Sequence, residues 1–145
     1  MAPLVTPIHI GNLNGLPLRF FRAPFKEPHL PWHAPDDLHA CLAFPPLLRK
    51  DFQQRLQSTE WAKDVRPVAT TMGIVTIAPH WMAQGLLGSV IQLGLAQPSI
   101  ELDYAVQAGD AINVLTGHLP DEAAFHLMCT AFRNTNRMGT SGGAA

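Results

Sequence analysis

At 145 residues the chain has the length of a single domain and can bury a core without disulfide or metal staples. Its 47% hydrophobic and 14% charged content implies a lightly charged surface, and a formal net charge of −1 excludes a global electrostatic pull toward nucleic acid or membrane. Only two cysteines, Cys41 and Cys129, are present, which excludes a disulfide-built scaffold and reads as reduced thiols.

The first ten residues, MAPLVTPIHI, lack the basic-then-apolar form of a secretory signal. The longest apolar segment, WMAQGLLGSVIQLGLA, is interrupted by Gln84, Ser89 and Gln92 and is too short to span a bilayer. The expectation is a cytoplasmic protein with no membrane partner.

In chain order, LVTPIHI and LPLRFF are extended runs separated by GNLNG, whose Asn-Gly step is a hairpin turn signal. The pattern predicts strands near residues 4–10 and 16–22. Three prolines in APFKEPHLP make a loop. Pro35 then suits a first helical turn, Asp36 and Asp37 complement the helix dipole, and Leu38, Cys41 and Leu42 form one apolar face, predicting a helix over 35–43. FPP stops it, and LLRKDFQQRLQ starts a second helix with Leu48, Phe52 and Leu56 on one face.

VRPVATTMGIVTIAP reads as a second hairpin turning at Met72-Gly73, and HWMAQGLLGSVIQLG as a buried helix. Gly85 and Gly88 in that helix predict close approach of another backbone. Two further helices follow. One has Ser99 as N-cap and a stripe of Ile100, Tyr104, Ala108, Ile112 and Leu115; the other opens at Asp121 and turns Phe125, Met128, Cys129 and Phe132 inward. The tail from residue 134 lacks an apolar period and is expected to be flexible. The fold class is therefore α+β. Small antiparallel hairpins and helices make a core over 1–95, and a helical pair over 96–133 belongs to the same compact unit.

The cluster HLPWHAPDDLHAC, residues 29–41, has metal-compatible chemistry in His29, His33, His39 and Cys41, but its spacing does not fit one site. His29 sits in the proline loop, and His39 and Cys41, two apart on a helix, face different directions. Asp36 and Asp37, adjacent on a helix, diverge by about 100° and read as dipole and capping residues rather than an acid–base pair. GxSxG, the P-loop, GxGxxG after a strand, HExxH and CxxC are all lacking. The expectation is a non-enzyme with no catalytic residue, metal or cofactor.

Residues 19–66 hold eight of the ten Lys and Arg, against six acids. Arg19, Arg22, Arg49, Lys50, Arg55, Lys63 and Arg66 are the candidate phosphate contacts of a nucleic-acid-binding face. Low overall charge and two apolar C-terminal helices favour a protein interface instead, because interface cores are depleted in charge.

LPLRFFRAPFKEPHLPWHAPDDLHACLAF resembles the start of a Bro-N domain, found in phage antirepressors and baculovirus repeated-ORF proteins. That family opens with a strand ending in an aromatic residue and a short loop. A Trp-Phe-x-x-x-Asp-Val-type box then leads into a helix closing on Ala-Leu, and here Trp32, His33, Asp37, Leu38, Cys41 and Leu42 occupy those places. VATTMGIVTIAPHWMAQGLL resembles the family's second hairpin and following helix, so the likeness covers roughly residues 16–95. His33 replaces the usual Phe and Asp36 the usual Lys, and the arginine-rich segment near the second hairpin shrinks to Lys63 and Arg66. The resemblance implies a non-enzymatic DNA-binding or regulatory protein of a phage or other mobile element. Its candidate partners are duplex DNA and a host or phage protein, with homo-oligomerisation expected. The alternative is an inhibitor or adaptor that occludes a protein surface without touching DNA.

Overall fold

The computed structural model describes residues 3–58 and 60–144. Strands β1 (His9–Leu13) and β2 (Leu16–Phe21) form the first hairpin. Its two-residue turn, Asn14-Gly15, takes left-handed φ values of 55° and 85°, the geometry that matches strand twist and favours this dipeptide. The first strand starts later than the apolar run predicts, because pairing extends back only from the turn, from Leu13↔Leu16 to His9↔Phe20. Trp32 and His33, between the proline loop and the first helix, are a short third strand, β3 (Trp32–His33), paired with Phe21 and Phe20.

Helix α1 (Pro35–Cys41) begins with the expected proline and is shorter than predicted. It ends where Ala43 turns left-handed at φ 55°. There the Phe44 amide donates to the His39 carbonyl (3.2 Å) and the Ala43 amide to that of Ala40 (2.9 Å), the paired bonds of a Schellman cap. Helix α2 (Pro46–Leu56) follows, then a 3₁₀ turn (Ala62–Asp64), then β4 (Arg66–Thr70) and β5 (Gly73–Ile77). The second hairpin turns at Thr71-Met72, one residue earlier than predicted. The Thr70 hydroxyl fixes it by donating to the Gly73 carbonyl (2.7 Å) and accepting from the Met72 amide (3.0 Å). Helices α3 (His80–Gln92), α4 (Ser99–Thr116) and α5 (Asp121–Ala144) complete the chain.

The architecture is α+β: two small antiparallel sheets, β1-β2-β3 and β4-β5, with five helices among the described residues. A reciprocal backbone bridge between His33 and Ala78 (3.0 and 2.9 Å) couples the sheets. Alternation along β2 sends Leu18 and Phe20 into one core cluster with Leu38, Cys41, Leu87, Ile100 and Tyr104. Phe21 enters the second cluster, with Trp32, Val75 and Ile77.

Three local expectations are corrected. A Cβ at Gly85 or Gly88 would meet nothing within 4 Å, so neither glycine admits another backbone. Ser99 is the first helical residue, Pro98 holds the cap position, and no side chain caps α4. On α5, Cys129 is exposed and Phe125 and Phe132 are 71% and 43% exposed, while Ala131 and Thr135 face inward. The physical reason is the proline loop, which needs polar and small partners. Leu30 donates its amide to the Thr135 hydroxyl (3.0 Å), and the Asn134 amide group donates to the Pro28 carbonyl (2.7 Å). Those bonds lie past residue 133, where the apolar period ends, and the helix runs on through Ala144.

Candidate functional site

The seven candidate cations are not equivalent. Arg19, on β2, is held by Asp37 of α1: its Nε and Nη2 donate to the two carboxylate oxygens at 2.8 and 2.9 Å, and its amide adds a third bond at 3.0 Å. That contact raises the arginine's pKa. Arg49 is half-buried and donates to the Asp36 carbonyl (3.4 Å), and Arg55 pairs with Asp51 (3.4 Å) while lying 5.8 Å over the Phe52 ring. Arg22, Lys50, Lys63 and Arg66 are exposed, Arg66 also donating to the Lys63 and Val65 carbonyls. Arg22 lines a cavity of about 230 Å³ beside Lys26, His29 and α5.

A second surface feature is apolar. Phe125, Cys129 and Phe132 recur at i, i+4 and i+7, a single stripe of α5, and all three face outward. On α4, Leu102 and Val106, one turn apart, are 70% and 53% exposed.

The third feature is concave. A cavity of about 440 Å³ lies among α1, α2, the 3₁₀ turn and α3. Helix α2 buries none of its residues, so it roofs this space without filling it, with Phe52 and Leu56 half-buried beneath it. The Schellman turn of α1 brings Phe44 against His39 (ring centroids 5.4 Å apart), and both stack near Phe52 (5.3 Å). The 3₁₀ turn sets Trp61 beside Trp81, 6.2 Å between ring centres.

His33 and His39 line this cavity and are each 2% exposed. Their Nδ1 atoms, and the Nε1 of Trp81, are buried without a hydrogen-bond partner among the described residues. Burial is the main cause that pushes the His33 imidazole down to about 3, with His80 and His39 nearby adding to it. Burial likewise lowers His39 to about 4, against an opposing pull from Asp36. Both rings are therefore neutral at pH 7, and among the described residues Arg55 is the one charged side chain lining the space.

Of the HLPWHAPDDLHAC cluster, His33 and His39 meet at this cavity, whereas His29 lies in the proline loop beside Thr135 (3.4 Å) and Phe25. Cys41 points instead at the carbonyls of Leu16 and Pro17 (3.6 and 3.7 Å). Among the described residues no three His, Cys, Asp or Glu side chains come together as metal ligands. Sequence reasoning set His39 aside and did not connect Trp61, Trp81 and Phe52. No helix of the described residues is long and apolar enough to cross a membrane. Comparison of the chain with family models, curated proteins and solved structures finds no match.

Proposed function

We propose that this chain is a non-enzymatic regulatory protein of the antirepressor kind implied by its Bro-N resemblance, acting by docking on another protein. The outward Phe125–Cys129–Phe132 stripe of α5 carries this reading. An amphipathic helix that offers i, i+4, i+7 apolar anchors is the ligand half of a helix-in-groove contact. The light charge of the chain adds to it, because desolvating such a surface costs little.

The test is a pairwise titration with transcriptional repressors encoded on the same mobile element, using the wild-type chain and the double variant Phe125→Ser/Phe132→Ser. Saturable binding that the double variant loses supports the reading. Light scattering that shows a dimer for the wild-type chain and a monomer for the double variant, with no repressor bound, ends it.

A second reading, duplex DNA binding, is favoured by four of the seven candidate cations, Arg22, Lys50, Lys63 and Arg66, which are exposed and make no ion pair among the described residues. Four phosphate contacts predict a log–log salt slope of about −3 to −4. A duplex that fails to bind at low salt removes it.

A further inference from the structure

We infer that the cavity among α1, α2, the 3₁₀ turn and α3 is a binding site for a small aromatic carboxylic acid, packed against the walls that Trp61, Trp81 and Phe52 supply. Three observations converge on that ligand class. The volume, about 440 Å³, falls in the range of small-molecule sites, roughly 300–1,000 Å³, and its walls are mainly aromatic and aliphatic: Phe52, Leu56, Trp61, Trp81 and Met82. Flat rings gain most in such walls, through offset or tilted contacts with aromatic neighbours.

The buried polar atoms around the space do not hold the ligand. His33 Nδ1, His39 Nδ1 and Trp81 Nε1 have no partner among the described residues and are closed to solvent, so a bound ring is held by its contacts with the aromatic walls.

Arg55 fixes the charge. It is the one charged side chain on the described lining, and both imidazoles are neutral, so the site matches one negative charge rather than a phosphate ester's two. Its present partner, Asp51, is 54% exposed on the same helix and 3.4 Å away. Exposed pairs of that kind contribute little, and the guanidinium can turn from Asp51 to a carboxylate at the cavity mouth at small cost. This inference is independent of the α5 stripe, and either can fail without the other.

The experiment titrates the full chain with indole-3-acetate, with neutral indole and with acetate, read by calorimetry and by the indole N–H resonances in ¹⁵N-labelled protein. The expected result is one saturable site for indole-3-acetate with a shifted Trp81 resonance, weaker binding of indole, and none of acetate. Arg55→Gln should weaken indole-3-acetate about tenfold while leaving indole unchanged. Gly85→Leu should abolish both. A Cβ at Gly85 meets open space on this lining, so that variant fills the cavity while the helix is retained, which circular dichroism verifies. Failure of indole-3-acetate to saturate, saturation that leaves Trp81 unmoved, or equal affinity in Arg55→Gln would each overturn the assignment.

Discussion

Arg19 and Asp37 form a bidentate bridge that ties the first hairpin to the first helix, 2.8 and 2.9 Å long and closed by a backbone amide at 3.0 Å. Both side chains are largely shielded, at 23% and 15% exposure, so this pair is not a surface ornament. Removing one member strands the other charge in a partly buried place. Asp37→Ala should therefore destabilise the protein by about 2–4 kcal/mol, and Arg19→Ala by a similar amount. A double-mutant cycle in urea should show strong coupling, with the double variant losing less than the sum. Additive losses would mean the bridge contributes nothing of its own.

Because Asp37 already occupies the guanidinium, Arg19 is expected to contribute nothing to any duplex affinity. A variant series should separate Arg22→Gln, Lys50→Gln, Lys63→Gln and Arg66→Gln, which lower affinity and flatten the salt slope by about one unit each, from Arg19→Gln, which leaves the slope unchanged. A salt slope flattened by about one unit in Arg19→Gln, measured where that variant is fully folded, would contradict the division of roles drawn from the geometry.

Neutral buried imidazoles make stability fall with acid. His33 and His39 are held at about 3 and about 4 in the folded chain, by burial first, with His80 and Arg49 opposing their charged forms and Asp36 favouring that of His39. In the unfolded chain an imidazole titrates near 6.5. Between those values the unfolded state binds more protons, so the stabilisation is complete above about pH 6.5 and is lost as pH falls toward 4 and then 3. Each histidine should add a slope of about 1.4 kcal/mol per pH unit below 6.5. Urea midpoints from pH 7 to pH 5 measure it, and His39→Gln should remove one histidine's share of the slope.

What the sequence made legible was local. Asn14-Gly15 announced its hairpin and Pro35 its helix start, because backbone chemistry alone decides those points, whereas α1 ends in the cap at Ala43, ahead of the Phe-Pro-Pro run expected to stop it. The division between inside and outside on α5 was not legible. A period of 3.6 marks a stripe of Phe125, Cys129 and Phe132 but carries no sign, and the sign was set by Thr135 and Asn134 bonding to the distant proline loop. The position of Asp37 in the first turn points to its own helix dipole, whereas its partner lies eighteen residues upstream on a strand. The cavity was hidden for the same reason: Trp61, Trp81, His33 and His39 meet only through the packing of four separate elements.

The glycines of α3 have room around them that their residue type does not suggest. Glycine inside a helix was expected to mark a neighbour that tolerates no side chain, yet a Cβ placed at Gly88 faces nothing within 4 Å. Its helical backbone needs no special φ, so alanine there gains helix propensity and lowers the entropy of the unfolded chain. Gly88→Ala should stabilise the protein by about 0.5–1 kcal/mol in urea denaturation. A destabilisation would restore the close-approach reading.

The two thiols should differ sharply in reactivity. Cys41 is 2% exposed, and burial, followed by the nearby Asp37 carboxylate, pushes its thiol up to about 11. Its Sγ is also turned to two carbonyl oxygens, which favour the protonated form. Cys129 is exposed on the outer stripe of α5. Only the thiolate attacks an alkylating reagent, so native protein at pH 8 should take up one iodoacetamide, at Cys129, and a second only in denaturant. If the stripe docks on a protein partner, that same partner should slow alkylation of Cys129. Unchanged labelling in a saturated complex would place the docking surface elsewhere on the molecule.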